Sequence, residues 1–98
     1  MKLERVYSTE LLILAALKTV GERRFVDDIQ REIEERYGIN SISTSAINAA
    51  LRSLQLRGLV RAKRLVVGAR RNRIEYSAAP KAYAVLQDVA DVCTKALA

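Results

Sequence analysis

The chain has 98 residues, half of them hydrophobic, with a formal net charge of +6 and a pI near 9.9. The length and the hydrophobic content fit one globular domain over residues 1–98. The positive net charge favours a polyanionic partner, with nucleic acid ahead of an anionic membrane. Because Cys93 is the only cysteine and histidine is absent, an intrachain disulfide and metal sites built from Cys and His are excluded. We expect no metal and no cofactor.

The longest apolar run covers residues 11–17 and has seven residues, whereas a membrane helix needs about 20. The N-terminus also lacks a signal peptide's order of charge, long apolar run and small-residue cleavage site. We therefore expect a cytoplasmic protein with no membrane partner.

Two helices are predicted in the first third of the chain. The first starts at Ser8 or Thr9, with Ser8 as its N-cap, and runs to about Val20. Its apolar residues cover almost the whole circumference, so it is either the central helix or is covered by a second subunit. The second spans residues 25–37, where apolar residues recur at three- and four-residue steps: Val26, Ile29, Ile33 and Tyr37.

A third helix is predicted from Thr44 to Arg57, with Ser43 as its N-cap and Gly58 as its stop. At about 100° per residue, its apolar face consists of Ile47, Ala50, Leu51 and Leu54. The opposite face carries Ser45, Ala49, Arg52 and Leu56, flanked by Asn48 and Gln55. This face is small and polar near its start and has no acidic residue, so it can approach another surface closely. On this spacing Leu56 faces outward, and whether it tucks under the following hairpin stays open.

A β-hairpin and a final helix complete the predicted order. Residues 59–67 are β-branched and basic, residues 68–72 form a turn, and residues 73–78 return with alternating apolar side chains. Pro80 suits the first turn of a helix that runs to about Leu97. Its heptad-like stripe is wider than one small domain needs to cover: Ala82, Leu86, Val89, Cys93 and Ala96.

The charge is segregated along the sequence. No Asp or Glu occurs between Arg36 and Ile74, and the nine basic residues of this window give it +9, which leaves −3 for the rest of a chain of net +6. Three helices, a basic hairpin and a fourth helix predict a mainly α fold with a small β-hairpin, the winged helix-turn-helix (α-α-α-β-β-α). Its core is expected at residues 8–78, followed by a separate helix at residues 80–97.

In this fold the third helix is the recognition helix, and its N-terminal half enters the major groove of double-stranded DNA. Small side chains at Ser45 and Ala49 permit close approach. Thr44 and Asn48 can hydrogen-bond phosphate or base edges, and Arg52 can read guanine or hold a phosphate. The wing would lie along the backbone or in the adjacent minor groove, with Lys63, Arg64, Arg70, Arg71, Asn72 and Arg73 as its contacts.

Three segments resemble motifs of one protein family. Residues 11–17 read LLILAAL, residues 43–60 read STSAINAALRSLQLRGLV, and residues 73–82 read RIEYSAAPKA. They are similar to the opening helix, the recognition-helix run and the wing-closing segment of the PadR-like family of winged-helix transcriptional regulators. The resemblance covers nearly the whole chain. It departs at Asn48, where the family usually has Tyr, and at Ala79 and Ala82, where it has Thr and Gly.

The resemblance implies a sequence-specific transcriptional regulator that acts as a homodimer. It places Ser45, Ala46, Asn48, Ala49 and Arg52 on the DNA-facing helix. It also implies that the final helix packs against the first helix of a partner copy, through an interface that we assign to Leu12, Leu86, Val89, Ala90, Cys93 and Leu97. No effector pocket can be named, so a small-molecule ligand stays open.

Two other functions stay open. In an architectural or chromatin-type binder, the wing and the net charge would supply the DNA affinity and the recognition helix would be idle. In a protein-interaction module, the basic wing would be a solvated surface. An enzyme is not expected, because histidine is absent and Cys93 lies on an apolar helix face without a visible base.

Overall fold

The computed structural model describes residues 5–21, 24–66 and 72–98. The elements are the helices α1 (Ser8–Thr19), α2 (Val26–Glu35) and α3 (Thr44–Leu56), the strands β1 (Val60–Val66) and β2 (Asn72–Ala78), and the helix α4 (Pro80–Leu97). This order confirms the mainly α winged helix-turn-helix predicted from the sequence. Within the described ranges, no helix is both long and apolar enough to cross a bilayer.

The core lies where α1 packs against α2, α3 and α4. The largest fully buried side chains are Ile13, Leu14, Ile29, Ile33, Ile47, Leu51, Leu54 and Leu59. They come from all three N-terminal helices and from the residue before β1, so burying them holds the helices and the root of the hairpin together. Each such side chain contributes about 1.5–3 kcal/mol relative to an exposed one. The predicted inner face of the third helix is confirmed.

The start of α1 differs from the prediction. Tyr7, and not Ser8, occupies the N-cap position, and Ser8 is the first helical residue. The reason is Glu10, whose Oε1 accepts a hydrogen bond from the Tyr7 backbone N–H at 2.9 Å. A carboxylate three residues into the helix thus satisfies the cap amide, as the acidic partner in a capping box does.

Two glycines terminate helices in the left-handed region, Gly38 at φ 70° and Gly58 at φ 73°. After Gly58 the chain turns so that Leu59 enters the core. Leu56, one turn before, is left 83% exposed. Leu56 therefore lies on the outward face, as the helical spacing predicts, and does not tuck under the hairpin.

The hairpin is a two-stranded antiparallel sheet in which Val60 pairs with Ala78 and Val66 with Asn72. The turn residues 67–71 lie outside the described residues, and with them the predicted contacts Arg70 and Arg71. At the root of the hairpin, the Ala79 N–H donates to the Leu59 carbonyl oxygen at 2.9 Å. Ala79 is the only residue between β2 and α4.

The first turns of α4 join the core, and its later turns do not. Pro80 is in the first turn as predicted, Ala82 and Val85 are buried, and Leu86 packs partly against the core. Beyond them the apolar side chains are increasingly exposed, and Leu97 reaches 88%. In α1, four apolar residues are buried, whereas Leu11, Leu12 and Ala15 are only half-buried. One chain therefore does not cover either apolar helix completely.

Candidate nucleic-acid interface

The start of α3 is held by two sets of hydrogen bonds. The Ser43 hydroxyl accepts from the Ala46 N–H at 3.1 Å, which is the predicted N-cap. Gln30 of α2 donates through Nε2 to the Ile42 carbonyl at 3.2 Å and accepts through Oε1 from the Thr44 hydroxyl at 3.1 Å. The first turn of α3 is thereby fixed against α2, which sets the orientation of the helix.

The predicted reading residues share one exposed surface. Thr44, Ser45, Asn48, Ala49 and Arg52 are all exposed, while the apolar residues on the other side of α3 are buried. We call this surface the α3 face. Near the N-terminus of the helix, its side chains are short and carry hydroxyl and amide groups. Its first positively charged side chain is Arg52. Such a surface offers both donors and acceptors to base edges.

The described part of the wing presents cations to solvent. Lys63 and Arg64 are exposed on β1, and Lys63 lies opposite Glu75 of β2 in the register. Asn72 pairs with Val66 at the distal end of the described strands. Because successive side chains of a strand point to opposite faces, Lys63 and Arg64 lie on opposite faces of the hairpin.

Arg73 is engaged within the protein. Its Nη2 donates to Oδ2 of Asp27 at 3.1 Å, and its Cζ lies 4.3 Å from the centroid of the Phe25 ring. Three residues further along β2, the Tyr76 N–H donates to the Arg24 carbonyl at 3.0 Å. The strand of the wing is therefore attached to the N-terminus of α2 by backbone and side-chain contacts.

A cleft of about 240 Å³ separates the wing from α3. It is lined by Phe25, Val26, Asn48, Arg73, Ile74 and Tyr76. Two predicted DNA contacts, Asn48 and Arg73, thus meet in one cleft, although they lie on different elements. Its remaining lining is apolar, and Ile74 is 41% exposed there.

Internal ion pairs neutralise part of the basic window. Arg36 pairs with Glu32 at 2.9 Å, Arg57 with Glu10 at 2.7 Å, and Arg73 with Asp27 at 3.1 Å. The sequence window contains no acid, but folding brings carboxylates from α1 and α2 to three of its cations. Four other cations of this window are exposed and have no carboxylate within ion-pair distance among the described residues: Arg52, Arg61, Lys63 and Arg64. Within this window, the unpaired positive charge of the described residues thus lies on the α3 face and on β1.

Glu10 supports the interface from behind. It is 3% exposed, and its Oε1 lies 2.7 Å from Nη2 of Arg57, which is the C-cap residue of α3. Burial by itself raises the pKa of Glu10, but hydrogen bonds from the Tyr7 amide, Ser53 and Arg57, with the Arg57 charge, hold that pKa below its ordinary value of 4.5. The C-terminal end of α3 is therefore tied to the first turn of α1.

Sequence reasoning missed the residues that position this interface. Gln30, Phe25 and Asp27 lie on or before α2 and were read only as parts of a helix. Their partners are on α3 and the wing, far away in sequence, so no local pattern signals the contacts. Asp27 did carry one visible signal, its place in the first turn of a helix, and that signal has a local explanation in the helix dipole.

The six residues assigned to a homodimer interface differ in exposure. Leu12, Leu86 and Val89 are half-buried, whereas Ala90, Cys93 and Leu97 are exposed. Leu12 lies on the side of α1 that the chain leaves partly uncovered, and the other five lie along α4. Among the described residues, no group of three or more His, Cys, Asp or Glu side chains could hold a metal ion.

Comparison with known proteins identifies the fold. No family model and no curated protein matches the chain. The crystal structure of Bacillus subtilis PadR in complex with operator DNA is similar over 87% of this chain and 47% of that one, with 20% identity and a TM-score of 0.73. RosR of H. salinarum is similar over 94% and 78%, with 26% identity and a TM-score of 0.71.

A PadR family transcription regulator from Clostridium difficile is similar over 94% of this chain and 100% of its own, with 14% identity and a TM-score of 0.68. The chain therefore has the fold of the PadR-like winged-helix regulators, which confirms the resemblance seen in the sequence. It spans about half the length of the Bacillus subtilis PadR chain.

Proposed function

We propose that the protein is a PadR-like transcriptional regulator that binds double-stranded DNA sequence-specifically as a homodimer in the cytoplasm. One observation carries this proposal: the α3 face is exposed, polar and free of carboxylates, and it lies beside a wing whose first strand carries exposed cations. Similarity to a PadR solved with operator DNA supports the same function.

The α3 face is the proposed reader of sequence. A helix fits the major groove, where each base pair presents its own pattern of donors, acceptors and methyl groups. Asn48 can form a bidentate pair with adenine, and Arg52 with guanine. Ser45 and Ala49 keep the backbone close to the bases, and the free N–H groups at the start of α3 favour a phosphate oxygen.

The wing is the proposed anchor. Lys63 and Arg64 contact phosphates or the adjacent minor groove. Phosphate contacts add affinity and fix register but do not read sequence. Each subunit is expected to neutralise about three to five phosphates. A plot of the logarithm of a dimer's binding constant against the logarithm of the salt concentration should then have a slope of about −5 to −9.

Pairing of two chains through α4 completes the proposal. The apolar residues of its last turns are exposed in one chain, and α1 is half-buried on one side. A second copy would cover both surfaces, through Leu12, Leu86, Val89, Ala90, Cys93 and Leu97. A twofold dimer then presents two α3 faces to half-sites about one helical turn apart.

Selection of binding sites from random duplexes, with the mass of the protein measured in solution, tests the proposal. We expect a dimer and an enriched pseudo-palindrome. A monomer without a preferred sequence would contradict it. If binding is tight but every sequence is retained equally, the protein is an architectural binder. If no duplex is bound even at low salt, the fold serves protein interaction.

Single variants separate reading from anchoring. Asn48→Ala and Arg52→Ala should each lose about 1–3 kcal/mol of discrimination at particular base pairs. Lys63→Ala should weaken binding to all sequences alike and reduce the salt slope by about one per subunit. Arg31→Ala is the charge-matched control, because Arg31 is exposed on α2 and pairs with Asp28 at 3.6 Å.

A further inference from the structure

Three contacts attach β2 to one short segment at the start of α2. The Arg73 guanidinium donates to the Asp27 carboxylate at 3.1 Å and lies over the Phe25 ring at 4.3 Å, and the Tyr76 N–H donates to the Arg24 carbonyl at 3.0 Å. All of the partners fall within residues 24–27. β2 is thus attached to the start of α2, while Leu59 and Ala79 hold the root of the hairpin.

The ring that receives Arg73 cannot move freely. Phe25 is 8% exposed and occupies the N-cap position of α2. Its N–H donates to Oδ2 of Asp28 at 3.1 Å, and its carbonyl accepts from the Ile29 N–H at 3.0 Å. An arginine placed over such a fixed ring gains cation–π attraction at low entropic cost, because a guanidinium is planar and weakly hydrated.

The same helix carries the attachment of α3. Gln30 lies one turn beyond Asp27. Its side chain bonds Thr44 in the first turn of α3 and Ile42 just before that helix. The start of α2 therefore holds the wing, and its middle holds the recognition helix. The contacts with α2 thus add a second connection between reader and anchor, besides the direct one from α3 through Gly58 and Leu59 into β1.

We propose that Phe25, Asp27 and Arg73 form a clamp that sets the distance between the wing and α3, so that Arg73 is a positioning residue and not a phosphate ligand. This inference rests on the proposed function and changes the role predicted for Arg73. A phosphate that takes Nη2 of Arg73 must displace the Asp27 carboxylate from it. The clamp instead leaves the cations of β1 to meet the phosphates.

The sign of the Asp27→Asn effect tests the clamp. Removing a negative charge from a DNA-binding surface should tighten binding by electrostatics alone. If Asp27 orients Arg73, the variant should bind its selected site about two- to fivefold more weakly. Glu34→Gln is the matched control, since it removes one exposed carboxylate from the same helix and should bind as well as the wild type or slightly better. Tighter binding by Asp27→Asn would overturn the proposal.

A double-variant cycle separates the clamp from direct phosphate contact. Arg73→Lys keeps the charge but loses the planar group, and Phe25→Leu keeps an apolar side chain but loses the ring. The clamp predicts that each weakens DNA binding and that the double variant is hardly weaker than either single one. A phosphate ligand predicts little effect of Phe25→Leu and additive losses. Unfolding of each variant is measured in parallel, and Asp27→Asn decides the question if Phe25→Leu fails to fold.

Amide hydrogen exchange tests the clamp without DNA. In Asp27→Asn, exchange of the Tyr76 amide should accelerate, because its bond to Arg24 loses the neighbouring support. The Ala79 amide, bonded to Leu59 at the root of the hairpin, should keep its protection. Equal rates at Tyr76 in both proteins would refute the clamp. Failure of the wild type to bind any duplex would instead refute the proposed function, and the exchange rates would still show whether the clamp holds the wing.

Discussion

Replacement of Glu10 by Gln isolates the ion pair that ties α3 to α1. Glu10 is 3% exposed, and its carboxylate accepts from the Tyr7 amide at 2.9 Å and lies 2.7 Å from Arg57. Gln fits the same space and can still accept one hydrogen bond, but it has no charge for Arg57. The variant therefore removes the ionic part of the interaction and leaves the packing.

The expected loss is about 2 kcal/mol of unfolding free energy at neutral pH. Hydrogen bonds to charged groups contribute about 1.5–3 kcal/mol, and breaking a buried pair costs about 3–5 kcal/mol. The upper range does not apply, because the Arg57 side chain is 29% exposed and water can solvate it after the change. Denaturant unfolding at fixed protein concentration measures the loss. Glu34→Gln, at an exposed position, should stay within about 0.5 kcal/mol of the wild type.

The pH dependence provides an independent check. Because the pKa of Glu10 is lowered in the folded protein, the carboxylate stabilises the fold above its unfolded pKa, and this contribution is lost as pH falls through the folded pKa. The difference between wild type and Glu10→Gln should therefore be constant near neutral pH and shrink below about pH 4.5. A loss under 0.5 kcal/mol at neutral pH, or a difference that persists after Glu10 is protonated, would refute this assignment.

Three further variants test how α3 is built, each by denaturant unfolding at fixed protein concentration. Leu54→Ala should cost about 2–5 kcal/mol because the side chain is fully buried, whereas Leu56→Ala should change stability by less than about 0.5 kcal/mol; equal losses would contradict the assigned faces. Ser43→Ala should cost about 1 kcal/mol through loss of the N-cap bond, and no loss would show that the cap is not used. Gly58→Ala should cost about 1–2 kcal/mol because φ is positive, while Gly21→Ala, with open space and no positive φ, should not destabilise.

Local patterns were sufficient to predict the helices. In α3 the apolar residues recur with helical spacing, and Ile47, Leu51 and Leu54 are buried as that spacing requires. Ser43 caps the helix and Gly58 ends it, because both functions depend on residues within one turn. The exposed face follows directly, since a helix with one buried side presents the other side to solvent.

The pairing of charges could not be predicted in the same way. Arg57 and Arg73 belong to a window without acid, and Arg73 is predicted from the sequence as a DNA contact. Their partners, Glu10 and Asp27, come from α1 and α2 and reach them only through tertiary packing. The helical spacing predicts that Leu56 faces outward, but only the turn at Gly58 decides that Leu59, and not Leu56, packs at the root of the hairpin.

The junction between β2 and α4 has a mechanical consequence. One residue, Ala79, separates the strand from the helix; it is 5% exposed, its N–H is bonded to Leu59, and Pro80 follows it. A joint this short, with a proline beside it, has little torsional freedom. A tilt of α4 is therefore transmitted directly to the root of the wing. The angle of α4 therefore affects the root of the wing, while Phe25 and Asp27 hold the more distal part of β2.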